Sequence, residues 1–452
     1  MPFDPQAYRP ERRILSLGEP FYDPVRAADF PETRLRFRND RAAAEVGLSG
    51  WDDAEWVAHL GRFVPLLDSL EQPLALRYHG HQFRSYNPDL GDGRGFTFAQ
   101  LRDRDGRLLD LGTKGSGQTP WSRFGDGRLT LKGGVREVLA SEMLEALGVP
   151  TSRSFSLIET GEALERNDEP SPTRAAVLVR LSHGHIRIGT FQRLAYHRDE
   201  EAMRRLVRYV LADLYGEDGD NPVRLLELVV ARTAALAARY MAAGFVHGVL
   251  NSDNINVTGE SFDYGPWRFA PTWDPAFTAA YFDHAGLYAF GRQPEAILWD
   301  VMQLASSLRL IAESDPLVAA LDRFAEAYQP AVAEALLWRM GRAPRGEASD
   351  RALVQAVERA LRASGVGLDR FFFDVFAQEL PENYGAEWDA VRAALSDHAP
   401  RKPRDHAYWE SEPCAMLIDE VEAIWAPIAE RDDWSAFEAK LAAVRQMAEA
   451  LA

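Results

Sequence analysis

The chain changes character once, near Thr190, and that change limits its fold more than any other feature of the sequence. From Ala75 to about Leu181 it carries short β-favouring runs, FTFAQL, LLDLGTK, SFSLI and AAVLVRL, broken by Gly- and Asp-containing turns. One amphipathic stretch interrupts them. GVREVLASEMLEAL, from Gly134 to Leu147, predicts a helix ended by Gly148 and Pro150, with Val135, Val138, Leu139, Met143 and Leu147 in a broad apolar stripe. Beyond Thr190 helical periodicity takes over, in segments near 201–214, 221–243, 294–312, 316–340, 350–363, 385–396, 415–426 and 434–451. The first seventy or so residues read as a leading extension, with a helix from Asp52 to about Leu70 that Pro65 kinks or splits.

Composition narrows the partners. A formal charge of −17 over 452 residues argues against a general grip on nucleic acid, which draws on clustered Lys and Arg to neutralise phosphates. Cys414 is the only cysteine, which excludes an internal disulfide and a Cys-cluster zinc site and suits a reducing compartment. The most apolar run, around Leu225 to Met241, contains Glu227, Arg232 and Arg239 and is no membrane span. The opening residues, MPFDPQAYRPERRILSLGEPFYD, resemble neither a secretory signal nor a transit peptide. These features lead us to expect a cytoplasmic, monomeric protein without nucleic-acid or membrane partners.

Within the helical part lies VHGVLNSDNINVTGESFDYGP, Val246 to Pro266. Protein kinases carry H-R-D-L-x-x-x-N followed by D-F-G, whose Asn and second Asp hold magnesium. Aligning His247 with the motif's His puts Asn254 at the metal-binding Asn, and Asp263-Tyr264-Gly265 stands for D-F-G. The proton-accepting Asp is replaced by Val249. Asn254 and Asp263 offer the hard oxygens that Mg²⁺ or Mn²⁺ takes alongside phosphates; the alternative is an Asn and an Asp in unrelated surface turns. A strand at Ile255–Val257 and a turn at Thr258–Glu260 predict a short hairpin that brings them together. Asp253, beside the Asn, can take over the base role; the alternative is a loop-capping residue.

Upstream, Lys114 ends the strand LLDLGTK and Glu137 follows 23 residues on (137 − 114) in the predicted helix, the arrangement in which a kinase holds a lysine toward phosphates. Without the lysine, Glu137 would read as a solvated surface acid. The turns containing Gly91, Gly93 and Arg94, and later Asp126 and Gly127, offer small residues and a cation to phosphate, although most such turns are only turns. Arg180 and Arg187, in VLVRLSHGHIRIGTF, suit a polyphosphate or ordinary surface ion pairs. The pairs His79/His81 and His183/His185 are more often structural than metal-binding at this spacing.

The blocks HQF, YNPDLGDGR, GTKGSGQTPWSRFGDGR, REVLASEMLEALGVPTSR, HIRIGTF, VHGVLNSDN, FDYGP and YAFGRQPEAILW, in that order from about residue 75 to 305, resemble those of the selenoprotein O family of kinase-like protein adenylyltransferases. The resemblance implies an α+β, protein-kinase-like two-lobed fold: an extension at 1–74, a strand-rich N-lobe with one key helix at 75–188, and a large helical C-lobe at 189–452. It implies ATP bound in a flipped orientation and AMP transferred to Ser, Thr or Tyr hydroxyls of protein substrates. It implies catalytic roles for Asp253, Lys114 and Glu137, and metal binding by Asn254 and Asp263. Nucleotide contacts are implied for Gly91, Gly93, Arg94, Lys114, Asp126, Gly127, Arg180, Arg187 and Asp263. Arg84 stands where the family leads us to expect glycine, and the single cysteine does not match the redox features of some members. An ordinary γ-phosphate kinase and a silent nucleotide-binding scaffold are the rival readings.

Overall fold

The computed structural model describes residue 4, residues 6–167 and residues 169–452. Residues 1–3 and 5 of the leading segment, and residue 168, lie outside the described residues. The central feature is a twisted antiparallel sheet assembled from β1 (Pro10–Glu11), β2 (Tyr22–Pro24), β3 (Arg34–Arg38), β4 (Leu74–Leu76), β7 (Thr97–Arg102), β8 (Leu108–Lys114), β9 (Leu129–Thr130), β10 (Arg153–Leu164) and β11 (Thr173–Ser182), with β5 (Gly80–Gln82) and β6 (Ser85–Asn87) forming a separate hairpin. Its main order is β2-β4-β7-β8-β11-β10-β3. The leading segment is therefore woven into the sheet at both edges rather than appended to it.

Both faces of this sheet are buried, and the period-2 alternation of strand side chains sorts them. Val177, Val179 and Leu181 of β11 enter one apolar cluster with Trp56 and Phe155, while Ala176 and Leu178 enter another with Val135, Val138 and Leu139. The first cluster is covered by α1 (Asp40–Glu45) and α2 (Asp53–Leu60), the second by α3 (Leu131–Ala146). Gly134 lets α3 lie close, because a Cβ there would sit 2.4 Å from Leu157 Cδ1. The helix expected to reach Leu70 stops at Leu60: Gly61 follows, and Phe63 adopts φ +56, a left-handed turn two residues before Pro65.

The helical part comprises α4 (Ile188–His197), α5 (Glu200–Tyr209), α6 (Pro222–Ala243), α7 (Gln293–Leu308), α8 (Ser314–Arg339), α9 (Glu347–Ser364), α10 (Leu368–Val375), α11 (Asp389–Leu395), α12 (Ile418–Arg431) and α13 (Ser435–Leu451). Asn221 caps α6 through Val223 and Arg224 amides, and Gly244 ends it at φ +69. From there the chain enters β12 (Phe245–Val246), which pairs with β13 (Arg268–Phe269) and clasps the base of the 247–267 loop. The last two helices return to the sheet side, α13 packing on α3 and Lys132 reaching Glu422 at 2.7 Å. Among the described residues no helix is long and apolar enough to cross a membrane.

Candidate active site

Strand parity puts the two inner cations together. Lys114 of β8 pairs with Leu178 of β11, and Arg180 pairs with Gly112, so Lys114 and Arg180 are diagonal neighbours on the face covered by α3. Glu137 projects from α3 between them: Lys114 Nζ donates to its Oε1, and Arg180 lies 4.0 Å from its Oε2. The expected lysine–glutamate pair is formed, and it is buried.

Arg187 arrives from the other side. The expected 255–257 hairpin does not form, because the backbone of this segment pairs with 186–188 instead: Ile188 N donates to Ile255 O at 3.0 Å and Val257 N to Ile186 O at 3.0 Å. The turn survives, with Gly259 N donating to Asn256 O, but its arms have other partners. That pairing locks Arg187 onto the loop. Arg187 Nη1 donates to Asp253 O at 3.0 Å and to Asp263 Oδ2 at 2.9 Å, and its Nη2 lies 3.3 Å from Asp92 Oδ1. Its guanidinium stacks between Tyr78, 4.3 Å from the ring centroid, and Phe262 at 4.7 Å.

Asp263 is the focus. Its Oδ1 accepts from Arg180 Nη1 at 2.8 Å and lies 3.4 Å from Lys114 Nζ, so three cations converge on one carboxylate. Its φ is +63, a left-handed conformation that costs about 1 kcal/mol for a non-glycine residue, and the cations hold it there. Burial works against its charge, yet Arg180, Lys114 and Arg187 outweigh that and keep its pKa well below the ordinary carboxylate range. For Lys114 the balance is reversed: burial lowers its pKa, and Glu137 and Asp263 only partly restore it. Asp253, buried beside Arg187, is pushed up to about 6 by desolvation, with Arg187 opposing the rise.

These groups line a cavity of about 840 Å³. Every residue singled out from the sequence as a catalytic, nucleotide or metal candidate lines it except Glu137, which acts from behind Lys114. Gly91 and Gly93 are required by Trp121, since added Cβ atoms would come within 2.4 Å and 2.8 Å of it. Gly127, at φ +70, passes Gly117 too closely for any side chain. Arg94 is exposed at the wall, whereas the Asp126 carboxylate is engaged by Arg166 at 2.8 Å. Gly80 makes room for Asp253, whose Oδ1 is buried without a hydrogen-bond partner. Asn254 Nδ2 donates to Val249 O at 2.9 Å, and no described donor bonds its Oδ1.

Three of the four paired histidines have side-chain partners nearby. His79 Nδ1 lies 2.8 Å from Tyr86 Oη, His81 Nδ1 2.7 Å from Gln192 Nε2, and His185 Nδ1 3.3 Å from Asp110 Oδ2. No cluster of three or more His, Cys, Asp or Glu side chains suited to a metal occurs among the described residues. The structure adds participants that the sequence reading passed over: Asp92, between two of the named glycines; Tyr78 and Phe262, which sandwich Arg187; and Arg166. Asp92 was open to detection inside GDGR. Arg166 gave no local signal, since only folding brings it to Asp126.

Residues 6–411 match the family model described as protein adenylyltransferase SelO. Similar curated proteins include the protein nucleotidyltransferase YdiU of Synechocystis sp., 43% identical and covering 96% of this chain and 97% of that one. The YdiU of Gloeobacter violaceus is 44% identical, covering 94% and 93%, and that of Pseudomonas putida 37%, covering 80% and 74%.

Proposed function

From the premise that the chain belongs to the SelO family of protein adenylyltransferases, we propose how its own residues bind ATP and pass AMP to a protein hydroxyl. The observation that carries the reading is the convergence of Lys114, Arg180 and Arg187 on Asp263 at the wall of a cavity that also holds the unpartnered Asp253 Oδ1. On this reading the fold is protein-kinase-like and two-lobed, with the cavity in the cleft. The polyphosphate lies against the three cations, fixed and desolvated before reaction, where such charge counts most. Gly91, Gly93 and Gly127 let the chain approach it, and Arg94 and Asp126 complete the wall.

Asn254 and Asp263 would hold a divalent cation, Mg²⁺ or Mn²⁺. The free Asn254 Oδ1 and the ionised Asp263 fit a hard ion that takes one or two protein oxygens and completes its shell with phosphate and water. When bound, the ion neutralises developing phosphate charge.

Val249 cannot accept a proton, and this supports a nucleotide turned so that the α-phosphate meets the acceptor. Asp253 orients the incoming Ser, Thr or Tyr hydroxyl and takes its proton; the oxygen bonds to the α-phosphorus, the bond to the β-phosphate bridge breaks, and pyrophosphate leaves. The acidic charge and the buried single cysteine support a cytoplasmic protein that does not bind nucleic acid. Incubation with the divalent cation and ATP labelled at either the α or the γ phosphate tests the reading: α-label retained on protein is expected. Retained γ-label would make it a kinase, and ATP binding without either label a scaffold.

A further inference from the structure

Beside the cavity lies a surface that the reaction above leaves unused. Phe83, Tyr281 and Phe282 are 37%, 81% and 43% exposed, and among the described residues they are the only exposed Phe, Tyr or Trp side chains in ring contact with one another. Phe282 meets Phe83 at 5.7 Å between centroids and Tyr281 at 5.1 Å; Tyr288 supports Phe83 from below at 5.0 Å.

Two observations tie this ridge to the chemistry. Asn251, two residues before Asp253, accepts from Phe83 N at 3.0 Å and from Tyr288 Oη at 2.7 Å, so the loop that carries Asp253 also holds the ridge. Asn251 lines the cavity itself. The second is strain. Phe83 and Arg84 form the two-residue tip between β5 and β6 with φ +49 and +63, a turn that favours Asn-Gly. A bulky side chain held there at a cost is a mark of function more than of stability.

We propose that Phe83, Tyr281 and Phe282 dock the acceptor polypeptide and select segments with an apolar side chain near the acceptor hydroxyl. This rests on the adenylyl-transfer reading, which requires a polypeptide to reach Asp253. The charges at the rim are mutually engaged, Arg84 lying 3.6 Å and Arg292 3.7 Å from Glu295. Selection at the ridge is therefore apolar rather than ionic.

The test uses fluorescent peptides carrying one Ser, Thr or Tyr flanked either by Leu and Phe or by Gly and Ser, titrated by anisotropy in the presence of a non-hydrolysable ATP analogue. The full chain should bind the apolar-flanked set about tenfold more tightly, the gain of partly burying one large side chain. Phe282→Ser should erase that preference. So should the double variant Phe83→Asn, Arg84→Gly, which relaxes the turn and should melt at a higher temperature than the parent. Equal binding of both peptide sets, or a preference that survives in both variants, overturns the proposal. AMP transfer from α-labelled ATP to the same peptides is read in parallel. Selective binding without transfer sinks the reaction and leaves the docking surface, whereas transfer without selective binding sinks the docking surface and leaves the reaction.

Discussion

Two ion networks in this protein use the same residue types and end differently. At the sheet edge, Glu159 takes Arg174 on Oε1 at 2.7 Å, and Arg174 and Arg36 on Oε2 at 2.8 Å and 2.7 Å. Asp432 after α12 takes Arg174 at 2.7 Å, Trp434 at 3.0 Å and Arg36 at 2.9 Å. Every carboxylate oxygen there is used, and the result staples the end of α12 to the sheet. Around the cavity, by contrast, Glu137 Oε2, Arg180 Nε, Arg187 Nε and Asp253 Oδ1 are buried without hydrogen-bond partners. Buried polar groups are ordinarily satisfied, and an exception needs an explanation. A closed network holds chain to chain; an open one beside a cavity retains capacity for a ligand.

Substitutions separate the two. The largest effect is expected from Asp263→Ala, which should lower AMP transfer about 1,000-fold, the upper range for losing one group that organises charge at a reacting centre, while circular dichroism shows the fold retained. Asp432→Ala, the matching loss in the staple, should leave transfer within about twofold, as expected of a surface substitution remote from the chemistry. Glu137→Gln removes the charge that restores Lys114 and should cost about 10- to 100-fold in rate, the size usual for a group that orients a working residue. Arg174→Ala should reverse the pattern, lowering stability in urea by about 1–2 kcal/mol, since it strips a partly buried carboxylate of one cation, without altering affinity for an ATP analogue.

The smallest effect is in acid. Burial works against the charge of Asp432, but Arg174, Trp434 and Arg36 hold its pKa down to about 2 from an ordinary 3.8. A depressed carboxylate contributes stability that is complete above its unfolded pKa and is lost as pH falls through the folded one. Because this group is exposed, solvent screening leaves a few tenths of a kcal/mol, about the worth of a surface pair. Melting curves between pH 5 and pH 2 should therefore fall slightly less steeply in Asp432→Asn than in the parent.

Much of this was legible in the sequence where chemistry and local pattern coincide. The spacing from Lys114 to Glu137 foretold a pair that forms, because a strand end and a single helix fix both partners locally. The periodic segments after Thr190 are helices within a few residues of their expected ends. What escaped was decided at long range. β1 pairs Glu11 with Gln100, and two residues of strand carry no readable alternation. α4 is built from IGTFQRLAYH, whose Gly189 and β-branched Ile188 and Thr190 are poor helix formers, and burial of Ile188, Phe191 and Leu194 overrides them. The hairpin expected at 255–257 failed for the same reason, since local turn chemistry cannot show that 186–188 offers better partners. Asp92 lies between Gly91 and Gly93, where the turn composition speaks only for the backbone, and its partner Arg187 is 95 residues away in the sequence.

The most direct test of the open network is a cocrystal structure with a non-hydrolysable ATP analogue and Mg²⁺ or Mn²⁺. Phosphate oxygens should lie within hydrogen-bond distance of Lys114, Arg180 and Arg187, with the ion on Asn254 and Asp263 and the α-phosphate nearest Asp253. A triphosphate bound elsewhere, or one whose γ-phosphate is the group nearest Asp253, would contradict the account.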